Sequence, residues 1–407
     1  MTKINCSAKE EWLKGLFSEG SEGFKNLVEA VVQALLEVEM TEHVGAEPYE
    51  RSSERKGFRN GYKARKLNSR VGSLELRVPQ SRDGSFSTQL FERYQRSEKA
   101  LFSSLIEMYI QGVSTRKVRK IVEKLCGTDV SSSTVSVLVK QLDGEISSFR
   151  ERALKGSYSY LIVDARYEKV RVQGRVISLA ILIAIGINQD GFREFLDLEI
   201  VRSETEDYWR VFFDKLIERG LTGVRLVVSD AHQGLKKAIS QCFAGSSWQH
   251  CQTHFSKRIL ERVAKSEQQR FHHDLKRLYH SATIEEARFL VQRMAEDWAE
   301  SYPKLIEKLE EELEYVLAVL NVPENHRKKL RTTNCLERLN REIKRRTRVV
   351  SIFPNEESCL RLIGALLLEQ HEEWLAGNRY LNMSALSQAE KPSNSTNCLH
   401  KEEVCWR

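Results

Sequence analysis

The sequence lacks any stretch built to cross a membrane or to carry the chain out of the cell. Its longest uncharged apolar run, Val176 to Ile187, falls well short of the ~20 residues that a spanning helix requires. The opening residues, MTKINCSAKEEWLKGL, have no apolar core of the kind a signal peptide carries. Paired cysteine spacing is missing too: eight cysteines are scattered from Cys6 to Cys405, and a chain of this size needs no disulfide staples. These absences point to a reducing cytoplasm. There is no internal repeat and no low-complexity tract, so solenoid and linker architectures are excluded and the chain is expected to fold nearly throughout. A large excess of one charge is absent as well. The net charge of +7 accommodates an anionic partner without naming it, so the placement of the basic residues carries the information.

What is present is an ordinary globular composition, 41% hydrophobic and 30% charged, in enough residues for two or three domains of roughly 150 each. Phe24, Leu27, Val28, Val31, Val32 and Leu35 form a helical apolar stripe that needs a core, or failing that a second copy, to cover it. From Arg51 to Arg70 basic residues crowd together: Arg55, Lys56, Arg59, Lys63, Arg65 and Lys66 stand beside Phe58 and Tyr62, with Gly57, Asn60 and Gly61 as turn formers. Such a run is commonly a solvated face, yet charge with stacking surface suits a loop lying on a nucleic-acid backbone. The following GSLELRVPQSRDGSF alternates like a short hairpin. Between Glu98 and Phe149, helical patterns stop at Gly112 and Gly127 and reopen at Ser114 and at Ser131 to Ser133. Plain bundle helices have that form, and so does a helix-turn-helix whose recognition helix begins near Ser133.

The pattern then turns to β. Tyr160 to Val163 run into Asp164, Val176 to Ile187 form a continuous apolar strand, and Phe192 to Val201 a third, joined by short loops and expected antiparallel. A helix from Glu204 to Gly220, a strand from Val224 to Val228 leading to Asp230, and a helix from Leu235 to Phe243 follow. The order β-β-β-α-β-α is that of a ribonuclease-H-like domain. One Asp at a strand end is commonly a turn former or cap, but two on neighbouring strands offer oxygen ligands to a hard cation such as magnesium. In SSWQHCQTHF, Cys251 and His254 make a Cys-x-x-His. Zinc requires three or four ligands; only His272 and His273 stand by to add, so packing, or a place beside the acidic site, is preferred to zinc. Residues 257–330 pattern as helices and lead into TTNCLERLNREIKRRTR. There Glu337, Arg341 and Arg345 follow at i, i+4 and i+8, while Leu336, Leu339 and Ile343 make a separate buried stripe. Taken alone, this is an amphipathic helix with ordinary surface ion pairs.

Together and in this order, YLIVDARYEKVR, LVVSDAHQGL, WQHCQTHF and TTNCLERLNREIKRRTRVVSIFPN resemble the Mutator-type insertion-sequence transposases, from about Glu47 to about Met383. The resemblance implies a mixed α/β fold: a ribonuclease-H-like catalytic core interrupted by an all-α insertion and preceded by a mostly helical DNA-binding region with a helix-turn-helix. Residues 1–95 are expected to be helical with a basic loop, 96–152 the helix-turn-helix region, 153–256 and 331–384 the two parts of the core, 257–330 the insertion, and 385–407 a tail without order. Asp164, Asp230 and Glu337 match the DDE triad, implied to hold two Mg2+ ions, with Mn2+ as a substitute, and Trp248, Cys251, His254 and Asn334 lie in motifs beside them. Arg341, Lys344, Arg345, Arg346 and Arg348 are expected to hold phosphates rather than read bases.

The implied partner is double-stranded DNA, at the element ends and at the target. A homodimer or larger assembly follows from the need to join two ends; no membrane is involved, and the bound protein belongs with the nucleoid. The chain departs from the family pattern at His250, Arg327 and Cys335, where Arg, Trp and Pro are usual; none is a triad carboxylate. Two rivals stand beside this reading, a DNA-binding regulator without catalysis and a ribonuclease-H-like nuclease that cleaves without joining.

Overall fold

The computed structural model describes residues 20–51, 53, 55–69, 71–90, 99–126 and 130–389. The tail beyond residue 389, with Cys398 and Cys405, and the break expected at Gly127 lie outside the described residues. The fold is mixed α/β, as expected, and divides into two compact units, Met1–Gln141 and Leu142–Arg407. No helix among the described residues is long and apolar enough to cross a membrane.

In the first unit, helix α1 (Gly20–Val44) packs on a hairpin of β1 (Arg59–Ser69) and β2 (Gly72–Ser81). The apolar stripe of α1 divides. Val28, Val32 and Leu36 join Leu67, Leu74 and Leu76 in a small core, while Phe24, Val31 and Leu35 stay exposed. The basic stretch expected as a loop is instead a strand from Arg59 onward, antiparallel to β2 from Arg59↔Ser81 to Ser69↔Gly72. A two-stranded ribbon covered on one side leaves its other face in water, so dense charge is compatible with a strand there. For the same reason β2 pairs with the residues before it, not across the Asp83-Gly84 turn. Helices α2 (Lys99–Ile110), α3 (Thr115–Cys126) and α4 (Ser132–Val139) follow. Ser131 caps α4, its side chain accepting from the Thr134 amide. Helix α4 stops at Val139, and the next helix, α5 (Leu142–Glu151), buries Leu142 and Ile146 in the second unit.

The second unit is built on a five-stranded sheet in the order β5-β4-β3-β6-β7, with β3 (Tyr158–Val172), β4 (Arg175–Asn188), β5 (Arg193–Val201), β6 (Leu226–Ser229) and β7 (Ser247–His250). The first three are antiparallel neighbours; β6 is parallel to β3 and β7 to β6. The apolar run of β4 is explained by its place between β3 and β5, where Leu179 to Ile185 are fully buried. The fifth strand, β7, lies just before the Cys-x-x-His and carries too few residues for its alternation to register. Helices α6 (Glu206–Glu218) and α7 (Gln233–Cys242) cover one face through Trp209, Phe212, Phe213, Leu235 and Ile239. Buried Asp197 on β5 is held by Arg150 at 3.0 Å, Lys215 at 2.9 Å and Arg219 at 2.9 Å, which ties α5 and α6 to the sheet.

Helices α8 (Gln252–Leu260), α9 (Gln268–Tyr279), α10 (Ile284–Trp298) and α11 (Pro303–Val316) share a separate core of Phe255, Phe271, Trp298, Leu309 and their neighbours. Beyond α12 (Glu324–Leu330), α13 (Asn334–Thr347) and the long α14 (Glu356–Ala376) return to the sheet, with α15 (Ser384–Ala389) last among the described elements.

Candidate active site

The pairing of β3 with β6 puts Asp164 and Asp230 together. The parallel register of the two strands runs from Tyr160↔Leu226 to Ile162↔Val228; β6 ends at Ser229, just before Asp230, whereas β3 continues to Val172, so Asp164, expected at a strand end, lies within its strand at the point where pairing with β6 stops. Carboxyl ends of neighbouring parallel strands, where a sheet changes direction, are where a crevice opens. Asp164 and Asp230 line one cavity of about 400 Å³ with Glu204, His254, Lys257 and Arg258. Asp164 Oδ1 accepts from the Ala165 amide at 2.9 Å and Oδ2 from Asn340 Nδ2 at 2.6 Å. Burial, and then the charge of Asp230, push the Asp164 carboxyl up to about 7, with His254 pulling the other way. Burial and the charge of Asp230 also raise Glu204, which is held by Trp209 Nε1 at 3.2 Å.

Glu337 arrives on α13, and β3 holds that helix at several points. Arg166 Nη1 donates to Asn340 O at 2.8 Å and Thr347 Oγ1 to Glu168 at 3.0 Å. Just past the helix, Phe353 exchanges two 2.9 Å backbone bonds with Lys169 and Arg171. Glu337 does not line the cavity itself; it meets the cavity across His254, whose Nδ1 lies 2.6 Å from Asp230 Oδ1 and whose Nε2 lies 3.9 Å from Glu337 Oε1. Asp230 and then Cys251 raise the imidazole to about 10, against burial, so His254 carries a proton at neutral pH. Burial works to raise the Cys251 thiol, but hydrogen bonds from His254 and Thr333 outweigh it and bring the thiol below its ordinary range. Ligand atoms of Cys251, His254 and Glu337 all lie within 4.8 Å of one another, the one such His, Cys, Asp or Glu group among the described residues. The oxygen donors of the aspartate pair suit a hard cation; the sulfur and imidazole suit a softer one.

The other residues singled out by the sequence fall into place around this centre. Trp248 Nε1 donates to Ser229 Oγ at 2.8 Å and so braces the strand end before Asp230. Asn334 is exposed in the first turn of α13. Two of the departures from the family pattern serve packing: buried His250 has its Nδ1 2.8 Å from Glu312, and Arg327 donates to the carbonyls of Leu320 and Val322 at 3.0 and 3.2 Å.

Among the expected phosphate contacts, Arg346 is corrected. It is buried and bonded to Glu342 at 2.6 Å and Glu369 at 3.0 Å, because its position faces α14 rather than water. Arg59 is likewise drawn to Glu37 at 3.2 Å and Thr41 at 2.7 Å, and Arg55 to the carbonyls of Glu47 and Glu50. Arg65 is partly buried and Lys66 meets Glu75 at 3.0 Å. Lys56, Lys63, Arg341, Lys344, Arg345 and Arg348 are exposed. Asn340, Glu204, Lys257 and Arg258 escaped sequence reasoning. Only Asn340 carried a signal, standing three residues after Glu337 on the same helical face.

The family model described as "Transposase, Mutator family" matches residues 2–377. The transposase for insertion sequence element ISRM5 of Rhizobium meliloti (strain 1021) is 46% identical over 391 residues, which is 96% of this chain and 98% of that protein. The transposase for IS256 in transposon Tn4001 of Staphylococcus aureus is 42% identical over 388 residues, 94% and 99% of the two chains. That for IS1081 of Mycobacterium tuberculosis (strain ATCC 25618 / H37Rv) is 36% identical over 399 residues, 97% and 96%.

Proposed function

This chain belongs to the Mutator family of transposases, and from that premise we propose that it binds the terminal inverted repeats of its own insertion sequence and cuts and rejoins DNA strands there. The observation that carries the chemistry is the shared cavity of Asp164 and Asp230, where β6 ends beside its parallel neighbour β3. The strand order, three antiparallel and two parallel, supports a ribonuclease-H-like core. Magnesium fits these residues, since the donors are carboxylate oxygens and Asp164 is raised first by burial and then by the charge of Asp230, both of which a bound cation would offset. Asp164, Asp230 and Glu337 would hold two such ions, or manganese, which when bound supply an activated water or 3′-hydroxyl and stabilise the departing 3′-oxygen of an in-line displacement.

The chain's own side chains do the positioning. Asn340 fixes the Asp164 carboxylate, and protonated His254 orients Asp230. Lys257 and Arg258 on the cavity wall hold the phosphodiester backbone beside the carboxylates, and exposed Arg341, Lys344, Arg345 and Arg348 hold phosphates farther along. In the first unit, α3 and α4 form the helix-turn-helix. α3 exposes Arg116, Lys117 and Lys120 for phosphates, and α4 exposes Ser132, Ser133 and Val137 for base edges. Lys56, before the β1 ribbon, and Lys63, on it, are exposed and add further phosphate contacts. A homodimer or larger assembly holds the two ends.

The test is magnesium-dependent nicking of a duplex carrying the terminal sequence, followed by joining of a pre-cut 3′ end into a second duplex. Asp164→Asn and Glu337→Gln are expected to lose both reactions while binding the duplex as tightly as the unaltered chain. Normal cutting by Glu337→Gln would return that residue to the role of a surface ion-pair partner. Nicking without joining would leave a nuclease, and binding with neither reaction a regulator.

A further inference from the structure

Beside the aspartate cavity, the first turns of α8 and α13 bring together three side chains of softer donor character, and we infer that Cys251, His254 and Glu337 form a binding site for a thiophilic divalent cation such as zinc. Cys251 caps α8 and His254 follows three residues later, so both face the same way toward the start of α13. All three ligand atoms lie within 4.8 Å of one another. The 3.9 Å between His254 Nε2 and Glu337 Oε1 is slightly less than two zinc bonds of about 2.0–2.2 Å laid end to end, so one ion spans them at an open angle.

The surroundings point the same way. The Thr333 amide and Thr333 Oγ1 both donate to Cys251 Sγ at 3.4 Å, and a sulfur accepting two hydrogen bonds is set up as a thiolate ligand. Asp230 lies 2.6 Å from His254 Nδ1 and keeps the proton there, so the imidazolium releases its Nε2 proton to solvent as the metal binds that nitrogen in the carboxylate–imidazole–metal arrangement. Sulfur and imidazole favour zinc over magnesium. Three protein ligands leave one position to water. Because Glu337 serves one cation at a time, zinc here withdraws it from the magnesium pair; that consequence, though not the site itself, rests on the transposase reading.

Cobalt(II) is the probe, titrated into the full chain without DNA or magnesium. A thiolate-to-cobalt charge-transfer absorption is expected, lost when zinc is added in stoichiometric amount. Cys251→Ser should eliminate the band. Asp230→Asn, which removes only the partner of His254, should keep the band and weaken metal binding about 10–100-fold. Glu337→Gln should also keep the band at lower affinity, and Cys251→Ser should keep the circular-dichroism spectrum of the unaltered chain, so that loss of its band is loss of the ligand and not of the fold. No band in the unaltered chain, or an equal band in Cys251→Ser, overturns the site while leaving magnesium-dependent nicking as the separate test of transposition. A clear band in a chain that never nicks DNA supports the site and sinks the transposase reading instead.

Discussion

Asp164 shows how much one carboxyl depends on what is packed around it. Held up to about 7 by burial and by Asp230, it competes for a proton across the physiological range. In the metal-free protein it is largely protonated below about 7 and ionised above, and a cation must displace that proton. Magnesium or manganese affinity should therefore fall as pH drops, by about tenfold per pH unit below 7 for release of one proton, and level off above it. Calorimetric titration between pH 5.5 and 8.5 in two buffers of different ionisation enthalpy measures both the affinity and the proton released. Asp164→Asn should flatten the slope. At this scale the sequence was only partly legible. Glu337 had two readings on its helix, surface partner of Arg341 or inward ligand, and the structure turns it toward His254. Glu204 offered no sign at all, because a residue just outside a helix points wherever the packing of α6 sends it.

Helix α13 carries two kinds of arginine that look alike in the string KRRTR. Arg346 faces α14 and bonds Glu342 and Glu369, Arg345 is exposed but paired with Glu342 at 2.7 and 2.9 Å, and Arg341 stands in water. Arg346→Ala should lower the urea midpoint, by an amount that corresponds to about 1.5–3 kcal/mol of stability, since it removes hydrogen bonds to charged, half-covered partners. Arg341→Ala should leave the midpoint unchanged, weaken binding across DNA sequences alike, and reduce the salt slope by about one. Equal destabilisation by both variants would mean that the helix has no free face. Periodicity placed this helix correctly, but only the neighbouring α14 distinguishes its arginines. The basic strand β1 makes the complementary case: its charge density read as a loop, and its pairing with β2 depended on the Leu67, Leu74 and Leu76 core beneath it.

At the scale of the molecule, the division after Gln141 groups α5 with the sheet, held by the Arg361–Asp143 bond at 2.6 Å and by close packing of Ile146 on Gly364. A fragment of residues 142–389 is therefore expected to unfold in one cooperative transition by circular dichroism and to bind metal. It should lose affinity for the terminal repeats, measured by mobility shift against the full chain. A fragment without a cooperative transition would show that the first unit is needed to fold the second. The sequence by itself determined the mixed α/β class, the strand that leads to Asp230 and the helical stretch between the sheet and Glu337, because alternation, helical period and caps are local properties of the chain. The tertiary structure decided the rest. Asn340 reaches Asp164 across 176 residues, Thr333 reaches Cys251 across 82, and Glu337 comes to His254 rather than to its neighbour Arg341. Those meetings depend on how α13 is fastened to β3, and that fastening is a matter of packing between distant segments, which no local pattern in the chain records.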